Sequence, residues 1–221
     1  MNALAGHFIV LEGIDGAGTT TQTAKLADAL RREGHRVRAT REPSDGPIGA
    51  FIRQVLSGRI VAPPTAPGEP ASAPGWETMA LLFAADRMDH VQTEILPFVA
   101  QGGIVISDRY DASSLAYQSV TSGNATDDPL SWIRSLNRYA RRPDLTIVLD
   151  ISADSAAARR AHRGEAAQLY EQNEVQRALA AFYKDIARYL PNDRVAIVDA
   201  EADLETVHAR VLDAYRSAFP R

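Results

Sequence analysis

A chain of 221 residues that is 45% hydrophobic can bury one sizeable core. Its net charge of −4 argues against bulk nucleic acid or an anionic membrane as partner, so any phosphate site must be a local basic cluster. The lack of cysteine excludes disulfides, thiolate zinc sites and a cysteine nucleophile.

The opening MNALAGH carries no basic segment, and the apolar run FIVL is far shorter than the roughly 20 residues a membrane span needs. A soluble, cytoplasmic protein is expected. Residues 7–12 form a short β-branched run that reads as a buried parallel strand. A glycine-rich turn leads into a helix over 20–32, closed by Gly34, and 36–40 is the second strand. A helix over 48–56 precedes the segment 61–75, whose five prolines and two glycines read as a surface loop. Helices are expected over 76–98, 111–120, 130–140, 152–163, 168–189 and 204–219, and strands over 103–107, 145–150 and 195–199. Strands alternating with helices predict a three-layer α/β/α fold with a five-stranded parallel sheet, its ligands outside the carboxyl ends of the strands.

The polar motifs fall at those ends. GIDGAGTT, Gly13 to Thr20, has the G-x-x-x-x-G frame of a phosphate-binding loop. Glycines there let backbone N–H groups approach phosphate oxygens, and the following helix N-terminus favours anions. Thr20 stands where a hydroxyl can ligand Mg²⁺. Thr19 stands where the motif has lysine, so one phosphate-stabilising charge must come from elsewhere. A plain strand–helix turn is the alternative reading of this string.

SDRYDASSLAYQ, Ser107 to Gln118, puts Asp108 at a strand end as a candidate Mg²⁺ neighbour and Arg109 as a candidate phosphate ligand. Ser113 follows, and Ser114, Tyr117 and Gln118 share one helical face that can line a polar pocket. In LLFAADR, Phe83 and Arg87 lie one helical turn apart, suited to stacking on a base and hydrogen bonding it. A core phenylalanine beside a solvated arginine is the alternative. Arg159, Arg160, His162 and Arg163 form a basic cluster before Gly164. It reads as a solvated helix end or as a mobile lid that brings arginines onto phosphates.

Taken in order, LEGIDGAGTTTQ, TREP, FAADR, SDRYDASSLAYQ and RRAHRG resemble the bacterial thymidylate kinase family over nearly the whole chain. The resemblance implies a P-loop nucleoside-monophosphate kinase fold in one domain, 1–221, with a lid at about 153–167. It implies phosphoryl transfer from ATP to dTMP with Mg²⁺, and a homodimer. It places ATP on Gly13, Ile14, Asp15, Gly16, Ala17, Gly18, Thr19 and Thr20, and the metal near Thr20 and Asp108. Asp15 would hold the sugar 3′-hydroxyl, and Arg53 and Arg109 the dTMP phosphate. Phe83 would stack on thymine, Arg87 would bond its O4, and Ser114 and Gln118 would complete the base edge, with Ser113 beside them. Tyr117 would pack at the deoxyribose, and Glu42 would lie near the metal and phosphates. Arg159, Arg160 and Arg163 would act from the lid, which fits Gly16 being non-basic. The alternatives are another deoxynucleotide or deoxynucleoside kinase, or a catalytically impaired nucleotide-binding protein.

Overall fold

The computed structural model describes residues 6–64, 66–123, 128–163, 169–170 and 172–220. Five strands, β1 (His7–Gly13), β2 (Val37–Arg41), β3 (Ile104–Asp108), β4 (Leu145–Asp150) and β5 (Val195–Asp199), form one sheet in the order β2-β3-β1-β4-β5. Every pairing is parallel, as the alternating pattern requires. Side chains of the central β1 alternate between two cores. Ile9 and Leu11 join the larger one with Leu26, Leu30 and Val211, whereas Phe8 and Val10 join the other with Val91, Ile95 and Phe98. Burying each such side chain contributes about 1.5–3 kcal/mol, so helices must cover both faces.

The helices are α1 (Thr19–Arg32), α2 (Pro47–Leu56), α3 (Trp76–His90), α4 (Leu96–Ala100), α5 (Asp111–Thr121), α6 (Pro129–Leu136), α7 (Ala153–Arg163), α8 (Asn173–Lys184), α9 (Ile186–Tyr189) and α10 (Leu204–Ala218). Gly34 follows α1 with φ 88, the left-handed geometry that favours glycine after a helix.

Three expected helices differ in detail. The one over 76–98 is α3 and α4 joined by a π-helical turn, Val91–Ile95. Pro97 has no N–H to give the carbonyl of Thr93, and the widened turn before it takes up the mismatch. The one over 168–189 breaks at Asp185, whose N–H turns to the Phe182 carbonyl (3.1 Å), and Phe182 then stacks on Tyr189 at 4.3 Å. Its first residue, 168, lies outside the described residues. The one over 130–140 stops at Leu136, because the Asn137 amide donates back to the Ile133 carbonyl (2.8 Å). The 61–75 loop is closed by one antiparallel bridge, Ala62 to Ser72.

Register brings the motifs together. Leu11 and Arg41 both pair with Asp108, so the turns after β1, β2 and β3 emerge side by side at one edge of the sheet.

Candidate active site

The loop after β1 folds as a phosphate cradle would. Gly16 and Gly18 have φ of 94 and 98, and Gly18 precedes α1 with no side-chain cap. The first N–H groups of α1 are therefore left for a ligand. A Cβ at Gly16 would lie 2.5 Å from the Ala156 carbonyl oxygen, so α7 rests directly on the loop and no larger residue fits there. Thr19 is buried in the first turn of α1. Thr20 donates its hydroxyl to Asp108 Oδ2 at 2.5 Å. The other Asp108 oxygen is buried without a hydrogen-bond partner among the described residues.

The turn after β3 is the second component. Arg109 has φ 71, an unfavourable left-handed backbone that a non-glycine residue holds only when its surroundings impose it. The Arg109 N–H donates to the Leu11 carbonyl (2.9 Å). Its guanidinium donates to the Gly13 carbonyl (2.8 Å), Asp15 Oδ1 (2.6 Å) and Ser113 Oγ (3.2 Å), and lies 5.2 Å from the centre of the Tyr117 ring. Burial works against the Arg109 charge, but Tyr117 and Asp15 more than offset it and hold the group cationic well above the usual arginine range.

Between the loop, this turn and α5 lies a partly open cleft. Asp15, Glu42, Phe83, Arg87, Arg109, Ser113, Ser114, Tyr117 and Gln118 all line it. Gln118 Oε1 is buried there without a hydrogen-bond partner among the described residues. Arg87 is only 1% exposed. Its Nε reaches Glu42 Oε2 (2.9 Å), Nη1 reaches Asn137 Oδ1 (2.5 Å), and Nη2 reaches the Tyr110 carbonyl and Ser114 Oγ (both 3.0 Å). The second Glu42 oxygen meets His90 Nδ1 at 3.2 Å, so this carboxylate is committed to the pocket wall.

Arg53 is not among the lining residues. It donates to the carbonyls of Pro43 (2.8 Å) and Ser44, behind the cleft residue Pro43.

On the far side of the loop, Gly16, Ala17, Gly18, Thr21, Gln22, Arg159 and His162 line a second, more open cleft with Asp203, Leu204 and Val207. Arg159 donates to the carbonyls of Ala200 (2.7 Å), Ala202 (3.0 Å) and Ala17 (3.4 Å). Arg160 donates to the Asp15 carbonyl, and its Cγ lies over Gly16. Arg163 ends α7; its side chain, and residues 164–167 of the expected lid, lie outside the described residues.

A model of the family described as thymidylate kinase matches residues 11–211. The chain belongs to the thymidylate kinase family. It is 38% identical to a probable thymidylate kinase of Pyrococcus horikoshii over 95% of both chains. It is 36% identical to a thymidylate kinase of Caulobacter vibrioides over 94% of this chain and 95% of that one. A third, from Thermomicrobium roseum, is 39% identical over 90% of each.

Sequence reasoning missed several residues of this thymidylate kinase fold's cleft. Tyr170 lies in it, 5.4 Å edge-to-face from Tyr117, with burial pushing its hydroxyl up to about 12 against a hydrogen bond from Gln118. Gln176, fully buried on α8, grips Asp15 twice, accepting from its N–H (3.2 Å) and donating to Oδ2 (2.8 Å). Pro43, Leu56 and Tyr110 complete the wall. Asp86 accepts from the N–H (2.7 Å) and hydroxyl (2.5 Å) of Ser44 and so fixes the loop that Arg53 holds. Polar residues inside helical patterns were the available signal, but their partners lie far away in sequence.

Proposed function

We propose that the chain transfers the γ-phosphoryl group of ATP to dTMP, giving ADP and dTDP. The observation that carries this reading is the Arg109–Asp15 pair, which joins the phosphate loop to the second cleft wall at 2.6 Å. A phosphate held by Arg109 is thereby kept next to phosphates cradled by Gly13 to Thr20. In the reaction, an oxygen of the dTMP phosphate attacks the γ-phosphorus in line. The bond to the β–γ bridging oxygen breaks and ADP leaves with that oxygen. No covalent enzyme intermediate is required, so positioning and charge stabilisation do most of the work.

Phe83, Arg87, Ser114 and Gln118 take the base, with the free Gln118 Oε1 available to a ring N–H. Tyr117 and Asp15 take the sugar, Arg109 and Arg53 the acceptor phosphate, and Glu42 acts through Arg87. The loop Gly13 to Thr20 takes ATP, with Arg159, Arg160 and Arg163 acting from the lid at 153–167. Thr20 and Asp108 fit a magnesium ion, because the unpartnered Asp108 oxygen and the adjacent hydroxyl are hard oxygen donors. Mg²⁺ commonly takes one or two protein ligands and completes its shell with phosphates and water, and would supply charge neutralisation there. We read the whole chain, 1–221, as one domain acting as a cytoplasmic homodimer of the bacterial branch, without a nucleic-acid or membrane partner. Among the described residues, no helix is long and apolar enough to cross a membrane.

A deoxynucleoside kinase would need no acceptor-phosphate arginines, and Arg53 and Arg109 favour the monophosphate. The test is ADP release measured across acceptors. dTMP should be the best, dUMP poorer, and AMP and GMP nearly inert; turnover of AMP comparable to dTMP would end the reading. Chelation of Mg²⁺ should abolish turnover.

A further inference from the structure

Glu12 is fully buried at the end of β1 and has no part in the chemistry just described. Burial pushes its carboxyl above the usual range, opposed by a hydrogen bond from Ser113 and by the charge of Arg109. Such a group is retained only where partners surround it, and here they come from two separate segments, the start of α5 and α8. Oε1 accepts the N–H groups of Tyr110 (2.8 Å) and Ser113 (3.2 Å). Oε2 accepts the hydroxyls of Ser113 (2.6 Å) and Tyr183 (2.9 Å).

These partners matter because of their positions. Tyr110 and Ser113 begin α5, and Tyr110 offers that helix no side-chain cap. Glu12 caps it from a neighbouring strand. Tyr110 also follows Arg109, whose left-handed backbone needs restraint on both sides; Leu11 supplies one restraint and Glu12 the other. Ser113 Oγ, held by Glu12, accepts from the Arg109 guanidinium. Tyr183 lies on α8, the helix whose Gln176 grips Asp15, and Asp15 in turn holds Arg109. The contacts close a ring from Glu12 through Ser113, Arg109, Asp15 and α8 back to Glu12.

We propose that Glu12 is a positioning residue for the acceptor phosphate: it sets the backbone and guanidinium of Arg109 and ties that setting to α8. This rests on the reading of Arg109 as the acceptor-phosphate ligand.

Glu12→Gln keeps the shape but leaves one acceptor oxygen for four donors. Its KM and calorimetric Kd for dTMP should rise about tenfold or more, with KM for ATP within about twofold. Ser113→Ala and Tyr183→Phe each remove one link and should raise the dTMP constants about threefold with ATP unaffected. They carry the test if Glu12→Gln does not fold. Equal losses for both nucleotides, or a lowered Tm with both constants unchanged, would reduce Glu12 to a structural core group and overturn the proposal. Arg109→Ala separates the two levels. A normal dTMP Kd there would remove the acceptor-phosphate reading and this inference with it. A weakened Kd there, with normal constants in Glu12→Gln, Ser113→Ala and Tyr183→Phe, would overturn this inference alone.

Discussion

The two sides of the phosphate loop are built on opposite plans. On the proposed acceptor side, charged side chains are buried or half-buried and each is held by others: Arg87 by Glu42, Asn137 and Ser114, and the half-buried Arg109 by Asp15 and Ser113. On the proposed donor side, the loop offers its own backbone N–H groups, and the arginines of α7 beside it contact carbonyl oxygens. A rigid polar network suits recognition of one base, because a wrong base leaves a buried donor or acceptor unpaired. Phosphates need only N–H groups and positive charge, which glycine-rich backbone and a peripheral helix can supply.

The largest effect should come from breaking the acceptor network. Arg87→Ala leaves the buried Glu42 carboxylate without its cationic partner, at a cost of about 3–5 kcal/mol in stability. Urea unfolding would measure it, and dTMP turnover should fall with it. If stability hardly changed, the two sides would not differ in rigidity as described.

On the donor side, Arg160 and Arg159 should separate. Arg160 lies over the loop, and Arg160→Ala should lower kcat by about two to three decades with little change in KM for dTMP. Arg159 contacts three carbonyls around the second cleft, so Arg159→Ala should lower Tm as well as kcat, with the smaller kcat loss of the two. With Arg160 already near the loop, Thr19→Lys should raise kcat by well under about a hundredfold. A gain of that size would mark Thr19 as an uncompensated loss.

The smallest effect is expected at Lys25, the cation that follows the phosphate loop in α1. It pairs with the exposed Glu205 at 2.8 Å and is not among the residues lining either cleft. Lys25→Ala should cost under about 1 kcal/mol and leave kcat unchanged. A kcat loss matching Arg160→Ala would move the compensating charge from α7 to α1.

The sequence by itself determined the layered parallel fold, because alternating apolar runs and helical periods leave few other ways to bury both faces of a sheet. It also determined where the cleft lies and most of its lining, because turn glycines and strand-end charges are local signals at the carboxyl edge of a parallel sheet. Tertiary structure decided which groups are spoken for. Glu42 is expected near the metal and phosphates, and in the fold Arg87 and His90, more than forty residues away, hold its carboxylate. Arg53, a proposed phosphate ligand, also braces the Pro43 and Ser44 carbonyls in the fold. Glu12 reads as one residue of an apolar strand, yet it joins α5 and α8. Hydrogen bonds between distant segments leave no periodicity in the chain, and only the folded arrangement brings their partners within reach.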